Sequence, residues 1–213
     1  MGAPIIPIRS SEALSRALAH LSAGELVVVP TDTIYGIAAH QDCSGVIARL
    51  YEARRRAPEP ALPFLLSGAD KMVDLVRPNA TATRLARRFW PGPLSLILPP
   101  AAALSPEFRA YPIAVRVPNF TPLLELLALA GGSLMVSGAI LPGYPPAITA
   151  QEAAVLFGDT TALILDGGPT LYGVPSTIVD CIPEVPMIVR RGILSEEKIR
   201  HTLDGIRVDT ESP

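Results

Sequence analysis

Two threonines, an aspartate and a tyrosine stand where an apolar run ends. The run is Leu26-Val27-Val28-Val29, and Pro30-Thr31-Asp32-Thr33-Ile34-Tyr35-Gly36 follows it directly. Apolar, β-branched residues in series read as a buried strand, and open α/β sheets collect their ligands at strand ends. Thr31, Thr33 and Asp32 can present hydroxyls and a carboxylate to such a ligand. A tight turn before a helix would use the same residue types.

Further polar residues fall in comparable places. Arg116 interrupts the apolar segment Ala114-Val115-Arg116-Val117. A buried arginine is costly unless it is paired or holds an anion. It therefore reads either as a salt bridge to Asp32, Asp166 or Asp180 or as a fork for a substrate carboxylate. Pro175-Ser176-Thr177 precedes Ile178-Val179-Asp180 and puts hydroxyls where a strand begins, although a serine there can also cap a turn. Arg54-Arg55-Arg56 reads as a solvated helix end interacting with the helix dipole; together with Arg190 it could neutralise a polyphosphate. Ser137 completes the set, at the end of the apolar segment Leu134–Ser137.

Other chemistries lack their residues. The chain carries neither a Walker A loop nor a G-x-S-x-G elbow, and His20, His40 and His201 stand outside any triad pattern. No pair of acids stands out as a general acid/base couple. Cations beside hydroxyls suit the positioning and charge stabilisation of phosphoryl or nucleotidyl transfer.

These residues need a scaffold, and the chain alternates strand and helix signals. Ser10-Ser11-Glu12 opens a helix that ends at Gly24, and Asp42 or Ser44 can cap a second helix running into the arginine cluster. A Pro-rich loop, 57–61, precedes a strand at Leu62–Leu66, and residues 68–77 and 80–90 read as helices. Strands are expected at Leu94–Leu98, Ile113–Val117, Leu134–Ser137 and Leu163–Leu165, with a closing pair at Thr177–Cys181 and Met187–Arg190. Helices are expected from Pro122 to Leu129, from Thr149 to Phe157 and after Ser195. This pattern predicts one α/β domain over 1–213, its core at about 10–205, around a twisted mixed sheet with flanking helices.

Composition narrows the partners. The 213 residues are 49% hydrophobic and 18% charged, values of a globular protein with a full core. The net charge of −2 gives no global basic field, so the local arginine clusters are the only support for RNA binding. Cys43 and Cys181 form no disulfide framework; with His40 they make a poor metal set, and two buried thiols in a reducing compartment are expected. Residues 126–151 are uncharged but hold too many Gly and Pro for a membrane span, and read as helix end, buried strand and loop. No basic segment followed by an apolar one marks the N-terminus, so a cytoplasmic location is expected.

Six ordered segments together resemble one family. They are Pro-Thr-Asp-Thr-Ile-Tyr-Gly (30–36), the basic cluster at 54–56, Trp-Pro-Gly-Pro-Leu-Ser-Leu (90–96), Ala-Val-Arg-Val-Pro (114–118), Pro-Ser-Thr-Ile-Val-Asp (175–180) and Val-Arg-Arg-Gly (189–192). The chain is similar in this to the YrdC/Sua5 family, in its short single-domain branch. The resemblance implies an open α/β fold around a concave, positively lined cavity. It also implies synthesis of threonylcarbamoyl-adenylate (threonylcarbamoyl-AMP) from L-threonine, bicarbonate and ATP, for t6A37 modification of tRNA, with a downstream t6A transferase complex as partner. Mg²⁺ is expected with the ATP, without a dedicated protein site. By the resemblance Thr31, Thr33 and Ser176 contact threonine, Arg116 clamps its carboxylate, and Arg54, Arg56, Ser137 and Arg190 face the nucleotide. Arg54, Arg56 and Thr31 would be catalytic.

The chain departs from the family pattern at three places. The family's Lys-x-Arg-Pro is Arg54-Arg55-Arg56-Ala57, a basic or amide position is Pro60, and Ser-Ala-Asn-x-Ser-Gly is Ser137-Gly138-Ala139-Ile140-Leu141-Pro142. Two lost polar contacts at Ala139 and Leu141 imply weaker nucleotide binding if those positions face ATP. The alternative they support is a catalytically diverged relative that binds a nucleotide or RNA.

Overall fold

The computed structural model describes residues 2–57, 60–203 and 208–210. Eleven strands form one sheet: β1 (Ile5–Pro7), β2 (Val27–Val29), β3 (Gly36–Ala39), β4 (Leu62–Leu66), β5 (Leu94–Leu98), β6 (Ile113–Arg116), β7 (Ser133–Gly138), β8 (Leu163–Asp166), β9 (Thr177–Asp180), β10 (Met187–Arg190) and β11 (Asp209–Thr210). Their spatial order is β1-β8-β2-β3-β7-β4-β6-β5-β9-β10-β11. β1/β8, β8/β2, β4/β6, β5/β9 and β10/β11 run parallel, and the other neighbours run antiparallel. The sheet is therefore mixed, as the interleaved pattern predicts. The helices are α1 (Ala13–Ser22), α2 (Val46–Ala53), α3 (Met72–Leu75), α4 (Ala80–Phe89), α5 (Pro106–Arg109), α6 (Thr121–Leu129), α7 (Ala150–Phe157) and α8 (Glu196–Thr202).

Side chains alternate between the faces of a strand, and here the alternation makes two unequal layers. Val28, Ile37, Phe64, Leu96, Val115, Val179 and Ile188 point to one face. They pack there with Ile47 and Leu50 of α2, Leu85 of α4, Phe157 of α7 and Ile199 of α8. Val27, Val29, Ala38, Leu134, Leu163 and Leu165 point the other way, against Ala17 and Leu21 of α1 and Leu123 and Leu126 of α6. This second layer reaches Val136 and Leu65. Beyond it, the same face of β4, β6, β5, β9 and β10 lines a cavity of about 550 Å³. Each fully buried Leu, Val or Phe contributes about 1.5–3 kcal/mol, so the doubly layered half is the rigid support for the open half.

Several local expectations change. Neither Asp42 nor Ser44 caps α2: Gly45 is its N-cap at φ 69, with no side-chain cap, because a left-handed residue turns the chain into the helix. Residues 68–77 form a short 3₁₀ turn, Ala69–Lys71, and the single turn of α3, and Val76 returns to extended backbone. The predicted caps at Thr149 and Ser195 hold, the former with Glu152 as a full capping box. Residues 126–151 form helix end, strand and loop, and among the described residues no helix is long and apolar enough to cross a membrane. Cys181 is buried, but Cys43 is only half-buried. Part of the 57–61 loop lies outside the described residues.

Candidate active site

The chain leaves β2 at Val29 and folds back on itself before β3, and hydroxyls close that turn. Thr33 N–H donates to Thr31 Oγ1 at 3.0 Å, and Thr31 Oγ1 donates to the Ile34 carbonyl at 2.7 Å. The two hydroxyl oxygens lie 3.0 Å apart. Gly36 then passes under β7, where a Cβ would come within 2.6 Å of Val136 Cγ1. Only glycine fits that approach, so the turn is locked against the sheet.

Arg116, the last residue of β6, reaches into this turn. Its Nε–H donates to the Gly92 carbonyl at 2.9 Å and its Nη1 to Thr33 Oγ1 at 2.8 Å, and its Nη2 pairs with Asp32 Oδ1. Of the two sequence readings, the salt bridge is formed, and Asp32 is the partner. Three of the five guanidinium N–H groups are used in this way, and the residue still lines the cavity. Burial lowers the guanidinium's pKa and the Asp32 carboxylate opposes that shift. The pair thus keeps a charge where water is scarce.

A second network sits across the cavity. Ser176 Oγ lies 2.9 Å from Ser95 Oγ and accepts from Arg190 Nη2 at 3.0 Å, while Arg190 Nε donates to the Ser176 carbonyl at 3.0 Å. Thr177 turns away: its Oγ1 donates to the Leu194 carbonyl at 2.7 Å and accepts from Gly192 and Leu194 N–H, both at 3.1 Å. A Cβ on Gly192 would lie 2.3 Å from the Pro175 carbonyl, so glycine is required for this latch. Thr177 therefore fixes the strand start, and Ser176 faces the cavity.

The third group lies at the far end of β7. Arg54 caps α2 at its C-terminus, is only 2% exposed, and donates through Nη1 to Ser137 Oγ; it also stands 5.9 Å from the Tyr51 ring centroid. Arg55 adopts φ 51, which turns the chain so that Arg54 points inward while Arg55 and Arg56 are exposed. A solvated helix end is thus correct for two of the three arginines and wrong for Arg54. Arg56 joins Pro60 in the lining.

Thr31, Thr33, Arg54, Arg56, Arg116, Ser137, Ser176 and Arg190 all line this one cavity. Ala139 and Leu141 do not: both are buried in the layer beneath, and Ile140 between them lines the wall. Backbone bonds set that direction, since Ala139 N–H donates to the Tyr35 carbonyl at 2.8 Å and the Ala139 carbonyl accepts from Ala147 at 3.0 Å. The condition under which these two positions would weaken nucleotide binding, that they face the cavity, is therefore not met. Sequence reasoning missed Ser95 and the cavity-facing Asp180. The period-2 pattern of Leu94-Ser95-Leu96-Ile97-Leu98 carried the signal for Ser95.

Tyr35 ties the first motif to the turn after β8. Its hydroxyl donates to the Gly168 carbonyl at 2.7 Å and accepts from Gly167 N–H at 3.2 Å. Burial pushes the phenol up to about 12, so it remains a donor. Among the described residues no three His, Cys, Asp or Glu side chains converge as a metal site.

Comparison with known proteins shows the family and the fold. Residues 19–192 match the Sua5/YciO/YrdC family, described under telomere recombination. Over 200 residues the chain is 34% identical to the threonylcarbamoyl-AMP synthase of Bacillus subtilis, covering 92% of this chain and 58% of that protein. The putative threonylcarbamoyl-AMP synthase of Mycobacterium tuberculosis is also 34% identical, with 92% of both chains covered. The structure of P. abyssi Sua5 complexed with L-threonine superposes with a TM-score of 0.88 at 30% identity, over 97% of this chain and 62% of that one. E. coli YciO, 19% identical with a TM-score of 0.85, shares the fold. The chain spans little more than half of the Bacillus relative and nearly all of the mycobacterial one. With the six motifs on one cavity and the match running through them, the chain belongs to the Sua5/YciO/YrdC family.

Proposed function

We propose that this chain is a threonylcarbamoyl-AMP synthase, condensing L-threonine, bicarbonate and ATP. The observation that carries the reading is a cavity whose lining, among the described residues, holds four arginines and one acid, with threonine and serine hydroxyls between them. Arg116 uses its remaining N–H groups on the threonine carboxylate, and Thr31, Thr33 and Ser176 fix the amine and side chain. The likeness to P. abyssi Sua5, solved with L-threonine, supports that side of the assignment. Threonine nitrogen and bicarbonate give a carbamate with loss of water. A carbamate oxygen then forms a bond to the α-phosphorus of ATP as the bond to pyrophosphate breaks. Arg54, Arg56 and Arg190, with Ser137, hold the phosphates and spread the charge that develops on their oxygens. Little covalent help is needed, which fits the absence of an acid/base couple from the sequence.

Mg²⁺ would enter the site together with ATP. The phosphates of ATP would be its ligands. The product would feed a transferase that modifies tRNA in the cytoplasm.

The test is pyrophosphate release by the purified protein from ATP, with Mg²⁺ and bicarbonate, alongside mass spectrometry of the nucleotide product. Threonine-dependent release with a threonylcarbamoyl-adenylate mass is the expected result. Release independent of threonine, or ATP binding without release, would overturn the proposal.

A further inference from the structure

The floor of the cavity holds one group that this reaction leaves without a task. Among the described residues Asp180 is the single acid in the lining, on the last position of β9. Arg116 does not use it, being paired with Asp32. The strand register gives its surroundings. Pro63 lies opposite Ala114, Ala114 opposite Ile97, Ile97 opposite Asp180, and Asp180 opposite Met187. These five residues form a continuous row across five strands, and all of them line the cavity.

The row has a definite shape. Side chains stand roughly perpendicular to a sheet, and adjacent strands lie about 4.8 Å apart. Pro63 and Ala114 are short, so they make a low apolar step about two strands wide. Asp180 and Met187 rise at its end as a wall. A flat, apolar ring system lying on the step presents its edge to the Asp180 carboxylate. The carboxylate accepts only, and Oδ1 is oriented by the Ile182 N–H at 2.9 Å; a carboxylate has about four lone-pair sites, so acceptor capacity remains for a ligand N–H.

The anion-binding groups lie one step along the same strands. Ile178, two residues from Asp180, is paired with Arg190, one of the arginines assigned to the phosphates, while Arg116, two residues from Ala114, is left to the threonine carboxylate. Two residues of strand measure about 7 Å. Base step and Arg190 thus lie side by side, at a separation a ribose can bridge.

Resting on the synthase reading, we infer that this row is the base-binding floor and that Asp180 reads the exocyclic amine of adenine. The ring lies over Pro63, Ala114 and Ile97, its amine donates to Asp180, and its phosphates turn toward the arginines. Asp180 is then a specificity-determining residue for the nucleotide, acting in binding and taking no part in the transfer step.

A chemical double-mutant cycle tests this by calorimetry without threonine. The ligands are ATP, purine riboside triphosphate (the same nucleotide without the amine) and 2′-deoxy-ATP. The proteins are the unaltered chain, Asp180→Asn and Asp180→Ala. A hydrogen bond to a charged group predicts that the unaltered protein prefers ATP over the amine-free analogue about tenfold or more. Asp180→Ala brings that preference to within about twofold, Asp180→Asn retains part of it, and discrimination against 2′-deoxy-ATP stays unchanged in both. Equal weakening of ATP and the amine-free analogue by both variants would overturn the inference, and so would loss of the 2′-hydroxyl preference in its place. Tight ATP binding with no coupling to Asp180 sinks this inference and leaves the synthase reading standing. No ATP binding by the unaltered protein overturns both.

Discussion

The two ends of the cavity are built differently. At the proposed threonine end, Arg116, Asp32 and Thr33 already hold one another, and Ser176 is held across the gap by Ser95 and by Arg190, which reaches it from the phosphate side. Most of those side chains sit on strand ends locked in place by Gly36 against the Val136 side chain and by Gly192 against neighbouring backbone. At the proposed nucleotide end, Arg54 is anchored to Ser137, but Arg56 is exposed and Pro60 and Ile140 offer no side-chain donor. The difference is one of preorganisation: the first end binds its ligand with groups already fixed, and the second must order an exposed arginine on binding. Ordering a long side chain costs about 0.5–1.5 kcal/mol, so the half proposed for threonine is the better preorganised of the two.

The largest effect is expected from breaking the fixed end. Arg116→Ala leaves Asp32 buried and unpaired, which costs about 3–5 kcal/mol, and urea denaturation should show it together with loss of pyrophosphate release. Replacing both partners, Arg116→Met with Asp32→Asn, should recover most of the stability and none of the threonine binding. Recovery of threonine binding in that double variant would contradict the clamp.

Next comes the loop that seemed to lack polar groups. Because Ala139 and Leu141 face the core, Ala139→Asn with Leu141→Ser should not improve ATP affinity. It should destabilise by about 3 kcal/mol or more, from lost burial and buried polar atoms, read as a lowered Tm. A rise in ATP affinity at unchanged Tm would show that these side chains reach the cavity.

A smaller effect is expected at the exposed end. Arg54→Gln removes a charged contact and should weaken ATP binding about tenfold, with threonine affinity within about twofold. Outside the site, burial pushes the Cys181 thiol up to about 12. The thiolate is the nucleophile, so at pH 8 iodoacetamide should alkylate half-buried Cys43 while Cys181 stays unmodified until the chain unfolds. Equal rates at the two cysteines would contradict this.

What the residues disclose beforehand follows the same divide. The strands that carry the site were legible because each is a short apolar run bounded by Pro, Gly or hydroxyl residues, as at Leu62–Leu66 and Leu94–Leu98. The hydroxyls and arginines at their ends were legible because nothing in packing explains them. β3 was not, because Gly36-Ile37-Ala38-Ala39 has small residues and no alternation, and its strand character comes from pairing with β2 and β7. β1 and β11 are edge strands of three and two residues, defined by their neighbours. The direction of Ala139 and Leu141 depends on backbone bonds to Tyr35 and Ala147, which no local pattern encodes. Asp180 was visible as the end of a motif and as a possible partner of Arg116; the register across five strands is what puts it on the cavity floor.

The most direct test is a crosswise titration. L-threonine and ATP are titrated separately, by calorimetry, into the unaltered protein, Arg116→Lys and Arg54→Gln. Two half-sites on one open sheet face predict that Arg116→Lys weakens threonine about tenfold or more, since lysine cannot reproduce the guanidinium fork, and leaves ATP within about twofold. Arg54→Gln should do the reverse. Equal loss of both ligands in both variants would show that the two ends do not act as separate binding sites, and the account would fail at its centre.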